Sequence, residues 1–297
     1  MRRCPIVLAH GIARLDYLVH ALGRRRRLSR LLPWLRSDRL HYFRGIASYL
    51  RRHGFATWAT SVSFAAGVEV RGRDLRGEIL RVLSESGQSK VHIIGHSMGG
   101  LDARRMIVHE GMADRVASLT TIGTPHLGTS FADAGIEHGG HAAIDVLGKI
   151  VNLEGFEDLT TAAMRSFNDA ARDAEVGNAV VYRTYASSQT QEHTFLPLQP
   201  SWKVIFEAEG ENDGLVSTRS QAWEPKLIAS DGAAKKIGQS EFPVRADHLN
   251  QVGWWHINNE MPERKGRLPG FVRERRRYET RIRNLYLQIA REVEGLS

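Results

Sequence analysis

Short apolar runs, each closed by glycine or a polar turn, set the rhythm of this chain. Pro5-Ile6-Val7-Leu8-Ala9 and Val91-His92-Ile93-Ile94 are nearly continuous in apolar character, and glycine follows each. Strands at the centre of a parallel sheet lose both faces to helices, so they read as unbroken apolar runs rather than as alternating ones. Ala56–Thr60, Val116–Ile122 and Val180–Tyr185 are further strands, and Val204-Ile205-Phe206 extends the last excursion. Between the strands the apolar period lengthens to that of a helix. Ile46–Leu50 is helical up to Gly54, and residues 71–85 carry Leu75, Ile79, Leu80 and Leu83 on one side. Leu101–Val108 is stopped by Gly111. Near the end, Tyr278, Ile282, Leu285, Tyr286, Ile289 and Val293 form the apolar stripe of a C-terminal helix that packs on the sheet. Alternating strand and helix predicts a mostly parallel sheet with right-handed crossovers, flanked by helices.

One stretch breaks the alternation. Residues 131–172 mix Gly135, Gly139, Gly140, Gly148 and Gly155 with Ile136, Ile144, Val146, Leu147, Ile150, Val151 and Leu153. An apolar, glycine-broken insertion between two core strands is expected to be a lid or cap, covering about 129–172.

Composition narrows the class. A chain of 297 residues suits one large α/β domain, here residues 1–297. The single cysteine, Cys4, excludes an intramolecular disulfide and a cysteine-cluster zinc site. No stretch approaches the roughly 20 apolar residues of a membrane span. The apolar run after Arg2 and Arg3 is too short for a signal-peptide core, so a soluble, cytoplasmic protein is expected. The net charge of +8 is unevenly placed. Arg24, Arg25, Arg26, Arg27, Arg30, Arg36 and Arg39 make a basic insertion over about 20–40, and Arg273, Arg275, Arg276 and Arg277 make a second cluster. Such runs are most often solvated faces, and nucleic acid is not an expected partner.

The chemistry centres on Gly95-His96-Ser97-Met98-Gly99, a Gly-Xaa-Ser-Xaa-Gly pattern at the end of a strand and the start of a helix. That context marks a nucleophile elbow: the serine sits in a strained turn, and side chains two residues away would clash. An unactivated serine is a poor nucleophile, so a base and an orienting acid must follow it. Asp213, in Glu211-Asn212-Asp213-Gly214, is the expected acid, although an Asp-Gly pair is also an ordinary turn. Among 13 histidines, His248 and His256 follow Asp213. His248 lies in a loop after strand-like Phe242-Pro243-Val244 and is the favoured base, while His256 follows Trp254-Trp255 in a segment that reads as packed. Asp247 is a poor acid for its neighbour His248, because adjacent side chains point apart. Two backbone N–H groups should bind the developing oxyanion: that of Met98, and that of Ile12 after His10-Gly11. His10 itself reads as a hydrogen-bonded loop residue.

Taken together, these segments resemble the bacterial triacylglycerol lipase family of the α/β-hydrolase superfamily. The resemblance rests on Pro5–Gly11, Tyr42–Ile46, Lys90–Arg104, Thr120–Gly128, Asn212–Ser217 and His248–Val252, in that order. It implies the triad Ser97, Asp213 and His248, oxyanion donors at Ile12 and Met98, and a mobile lid after Gly128. A fixed cap of packed helices is the alternative to a mobile one. Many members bind a structural calcium through an aspartate two residues past the histidine, and this chain has the neutral Asn250 there. The missing calcium aspartate, disulfide and signal peptide point to an intracellular esterase or lipase branch.

The expected activity is hydrolysis of a lipid or small acyl ester through an acyl-enzyme, without a cofactor. A phospholipid deacylase or acyltransferase would use the same triad, and a non-catalytic lipid-binding protein would need none of it. Leu28, Leu31, Leu32, Trp34 and Leu35 interleave with the first arginine cluster, as in an element that grips anionic lipid surfaces. Replacing those arginines by glutamine should weaken sedimentation with anionic vesicles, and unchanged binding would remove the idea.

Overall fold

The computed structural model describes residues 3–11, 41–63, 66–137, 155–256 and 268–296. In chain order the elements are β1 (Ile6–Ala9), α1 (Ile46–Arg52), β2 (Thr57–Ala59), α2 (Val68–Ser86) and β3 (Val91–His96). Then come α3 (Met98–His109), β4 (Val116–Ile122), α4 (Ser130–Glu137), α5 (Thr161–Gly177), β5 (Val181–Ala186) and α6 (Gln199–Glu209). The chain closes with α7 (Thr218–Ala222), β6 (Lys226–Ile228), β7 (Ala234–Lys236), β8 (Gly238–Glu241) and α8 (Leu268–Glu294).

Six strands pair in parallel in the order β2-β1-β3-β4-β5-β8, and β6 and β7 form a separate antiparallel pair. Side chains alternate across the sheet. Ile6, Leu8, Ile94, Ile122 and Tyr185 face α1 and α8, where Ile46, Leu50, Ile282, Tyr286 and Ile289 are buried. Val7, Ala9, Ile93, Leu119 and Tyr182 face the other way, onto Leu75, Ile79 and Val82 of α2 and Met106 of α3. The expected α/β layers and the C-terminal helix are therefore present. Among the described residues, no helix is long and apolar enough to cross a membrane.

The hydropathy reading fails in four places. Val204-Ile205-Phe206 is helix, not strand, because Pro200 opens α6 and Ile205 is its buried side. Leu80 is 39% exposed, and Val82 takes the buried place on α2 instead. The last strand is the polar Gly238–Glu241, just ahead of the strand-like Phe242-Pro243-Val244; as a sheet-edge strand it needs no apolar run. The β6–β7 pair carries only one fully buried residue, Leu227, and so leaves no hydropathy signal.

Two expected insertions lie partly or wholly outside the described residues. These are the basic segment at 20–40, which together with Ile12 is outside, and the middle of the lid stretch, 138–154. The flanks of that stretch are helices. Helix α5 is joined to α3 by a buried pair, with Arg104 Nε donating to Glu175 at 2.7 Å. Arg104 also stacks on Trp223, its guanidinium 3.9 Å from the ring centre.

A second buried pair ties α2, α3 and the loop after β1. Arg71 and Asp102 are both buried; the guanidinium donates to the carboxylate at 2.6–3.1 Å. It also donates to the carbonyls of His10 at 2.9 Å and Ser63 at 3.0 Å. Removing one partner of such a pair strands the other charge in the core. Arg71→Met should therefore cost about 3–5 kcal/mol in urea unfolding. Arg71→Met combined with Asp102→Leu should recover part of it; equal stability of Arg71→Met and wild type would contradict this reading.

Buried histidines make a pH prediction. Burial lowers His92 to about 4 and pushes His96 and His126 well below their ordinary 6.5. Below pH 6.5 the unfolded chain takes up protons at these sites and the native protein does not, so stability falls as pH falls toward 4. The limiting slope is about 1.4 kcal/mol per pH unit for each histidine. Urea midpoints at pH 7.5, 5.5 and 4.5 should decline in that order, and a flat series would contradict the assignment.

Candidate active site

Ser97 stands where β3 turns into α3, with φ 56° and ψ −134°, in backbone territory that side chains rarely occupy. The turn is fixed from both sides. Ser97 N donates to Ile122 O at 3.0 Å, while its carbonyl accepts from Thr124 Oγ1 at 2.9 Å and from Gly100 N at 3.0 Å. The glycines permit the close packing. A Cβ on Gly95 would lie 2.8 Å from the Gly100 backbone, and one on Gly99 would strike the carbonyls of Ala9 and His10. Within Val91–Gly100 only Ser97 escapes full burial. The elbow therefore presents one hydroxyl from an otherwise closed backbone.

Asp213 and His248 come together as expected. His248 Nδ1 lies 2.8 Å from Asp213 Oδ2, and His248 N donates to Asp213 O at 2.9 Å. A carboxylate only accepts, so Nδ1 carries the proton and Nε2 is left to act as base. Asp213 is buried, and its Oδ1 accepts from Leu215 N at 2.9 Å and Val216 N at 2.8 Å. The turn that holds it needs Gly214, whose φ is +97°. Here the Asp-Gly turn and the acid are one feature: the turn amides orient the carboxylate.

Among the described residues no hydrogen bond links Ser97 Oγ to His248. The two are neighbours through His96, whose ring centre is 4.6 Å from that of His248. A base of this kind commonly closes on its nucleophile only in the substrate complex. Met98 opens α3, so its N–H is among the first four of the helix, which have no carbonyl one turn back. Gly11 lies against the nucleophile: a Cβ there would be 3.0 Å from Ser97 Oγ. His10 is buried in the same loop, its Nδ1 2.8 Å from Gly11 O, and its Nε2 accepts from Val62 N at 3.2 Å.

The competing residues are engaged elsewhere. Asp247 meets His256, with Nε2 2.5 Å from Oδ2, and also accepts from Phe195 N at 2.8 Å and Asn250 N at 2.8 Å. This second Asp–His pair braces the His248 loop and does not reach Asp213. Asn250 is held inside that loop: Nδ2 donates to Trp254 O at 2.7 Å, and Oδ1 accepts from Tyr278 Oη at 3.2 Å. Among the described residues no three His, Cys, Asp or Glu side chains gather as metal ligands would.

Three residues of the site escaped the sequence reading, although each lies in a segment quoted there. Gln251 Nε2 donates to Asp213 Oδ2 at 2.8 Å, Gln251 Oε1 is 2.9 Å from His96 Nε2, and His96 Nδ1 is 2.7 Å from Tyr42 Oη. Their motif positions were the available signal; a contact between residues 42, 96 and 251 has no trace in local periodicity.

The sequence matches the alpha/beta hydrolase fold family over residues 5–137. It is 31% identical over 211 residues to a triacylglycerol lipase of Pseudarthrobacter phenanthrenivorans, covering 63% of this chain and 60% of that protein. The chain thus spans about three fifths of that relative's length. It is 30% identical over 250 residues to a triacylglycerol lipase of Vibrio cholerae, covering 73% of each. Lipase 1 of Pelosinus fermentans superposes with a TM-score of 0.62 over 97% of this chain and 99% of that one, at 16% identity, a likeness of fold. A six-stranded parallel sheet, a strained serine elbow on its third strand and homology across most of the chain lead to one assignment: this chain belongs to the bacterial lipase family of the α/β-hydrolase superfamily.

Proposed function

We propose that this protein hydrolyses carboxylic esters of lipids through an acyl-enzyme formed on Ser97. The observation that carries the reading is the buried Asp213–His248 pair, neighbour through His96 to a serine held partly exposed in a strained turn. In this mechanism His248 Nε2 takes the Ser97 proton as Oγ attacks the ester carbonyl. Asp213 keeps the imidazole in the Nδ1–H form and favours the imidazolium that forms. The oxyanion develops against the Met98 N–H at the start of α3, with a second amide expected from Ile12. The tetrahedral intermediate collapses as His248 returns its proton to the leaving alcohol, and water repeats the steps in reverse to free the acid.

The names of the relatives, which specify triacylglycerol, support an apolar substrate. No cofactor has a role in this chemistry, and activity is expected to survive EDTA.

The test is hydrolysis of p-nitrophenyl acetate, butyrate, octanoate and palmitate by wild type and Ser97→Ala. The wild type should be active, and Ser97→Ala should lose at least about 10³-fold in kcat/KM. A Ser97→Ala protein that retains the wild-type rate refutes the assignment. A wild type that is inert and refuses a fluorophosphonate probe points to a binding role for the scaffold.

A further inference from the structure

The side chain of Gln251 is joined at both ends to other residues of the site, and neither end reaches solvent. Its amide bridges Asp213 Oδ2, at 2.8 Å, and His96 Nε2, at 2.9 Å. The direction of every bond in this chain follows from elementary chemistry. A carboxylate only accepts, so the NH2 group of Gln251 faces Asp213 and its carbonyl faces His96. His96 Nε2 must then carry a hydrogen. Burial and the neighbouring His248 keep the His96 ring neutral. A neutral ring has one N–H, so Nδ1 is bare and accepts the hydroxyl hydrogen of Tyr42 at 2.7 Å. Tyr42, His96 and Gln251 thus donate in sequence, each toward Asp213.

We infer that Gln251 is a positioning residue of the triad, the last donor of a buried Tyr42–His96–Gln251 relay that orients Asp213 and restrains its basicity. Oδ2 accepts from both Gln251 and His248, whereas Oδ1 is held by the Leu215 and Val216 amides. Gln251 therefore competes with His248 for the same oxygen. Bonds that point one way polarise one another, so the relay acts on the carboxylate as a unit. The surrounding backbone reserves room for it. Gly123 has φ +58°, and a Cβ there would strike Gln251 Oε1 and come within 3.3 Å of Asp213 Oδ2. The backbone of Gln251 is itself anchored, with its carbonyl accepting from Tyr286 Oη of α8 at 3.0 Å.

This inference rests on the proposed acyl-enzyme reading for its rate effects, but not for its effect on His248. The experiment uses the full-length protein with Gln251→Met, which keeps the volume and removes both bonds, and Gln251→Glu, which keeps both bonds only while protonated. His248 is titrated by NMR of labelled histidine, and ester hydrolysis is profiled against pH. In Gln251→Met the carboxylate has lost a donor, so it holds the imidazolium more strongly. The His248 midpoint and the acid limb of kcat/KM should both rise by about one pH unit. Its kcat should fall roughly 10- to 100-fold with KM unchanged. Gln251→Glu should approach wild-type activity at acid pH and lose it as the new carboxylate ionises against Asp213. An unmoved His248 midpoint in Gln251→Met overturns the inference whatever the rates do. A wild type without esterase activity whose His248 midpoint still shifts in Gln251→Met removes the acyl-enzyme reading and leaves the relay standing.

Discussion

The constraint on which the rest of this molecule depends is the backbone at Ser97. A non-glycine residue at φ 56° and ψ −134° costs of the order of 1–3 kcal/mol and persists only when its surroundings leave no alternative. Here the surroundings are the fold itself. β3 is paired on both sides, α3 packs down on β1 through Gly99, and β4 accepts the Ser97 amide at Ile122. Relaxing the turn would mean lifting α3 off the sheet. The buried Arg71–Asp102 pair works against that movement, because it joins α3 to α2 and to the His10 carbonyl that precedes Gly11. The Ser97 turn and the His10–Gly11 loop are thus held to each other by one guanidinium.

Asp213 and His248 are held by a different device. Both lie in loops, and loops position side chains well only when their own polar groups are consumed. Asp213 sits in a turn whose amides bind its own carboxylate. The His248 loop is braced by Asp247, which binds the Leu249 and Asn250 amides, Phe195 N and His256. The two loops then join directly, through backbone as well as side chain. The polar groups of the two loops thus largely bind one another and their immediate neighbours.

Ser97 was legible from five residues, because strand, Gly-Xaa-Ser-Xaa-Gly and helix are contiguous and the steric demand on the glycines is local. Asp213 and His248 were legible through chain order and turn chemistry. The C-terminal helix and the central strands were legible because burial on one stripe or on both faces writes itself into hydropathy. β8 was misplaced because an edge strand of Gly-Gln-Ser-Glu carries no such record, and Val204–Phe206 misled because three apolar residues fit either period.

Local constraints could be read from the chain alone: which segments are central strands, which helices are amphipathic, and where a strained serine turn must sit. Those follow from steric and hydrophobic demands that act over a few residues. The tertiary structure alone shows that Asp247 pairs with His256, apart from the Asp213–His248 pair that chain order favoured. The tertiary structure also assigned Tyr42, His96 and Gln251 to the carboxylate, over separations of 54 and 155 residues. A hydrogen bond between distant residues depends on where the sheet and α8 deliver their backbones, and no local pattern encodes that delivery.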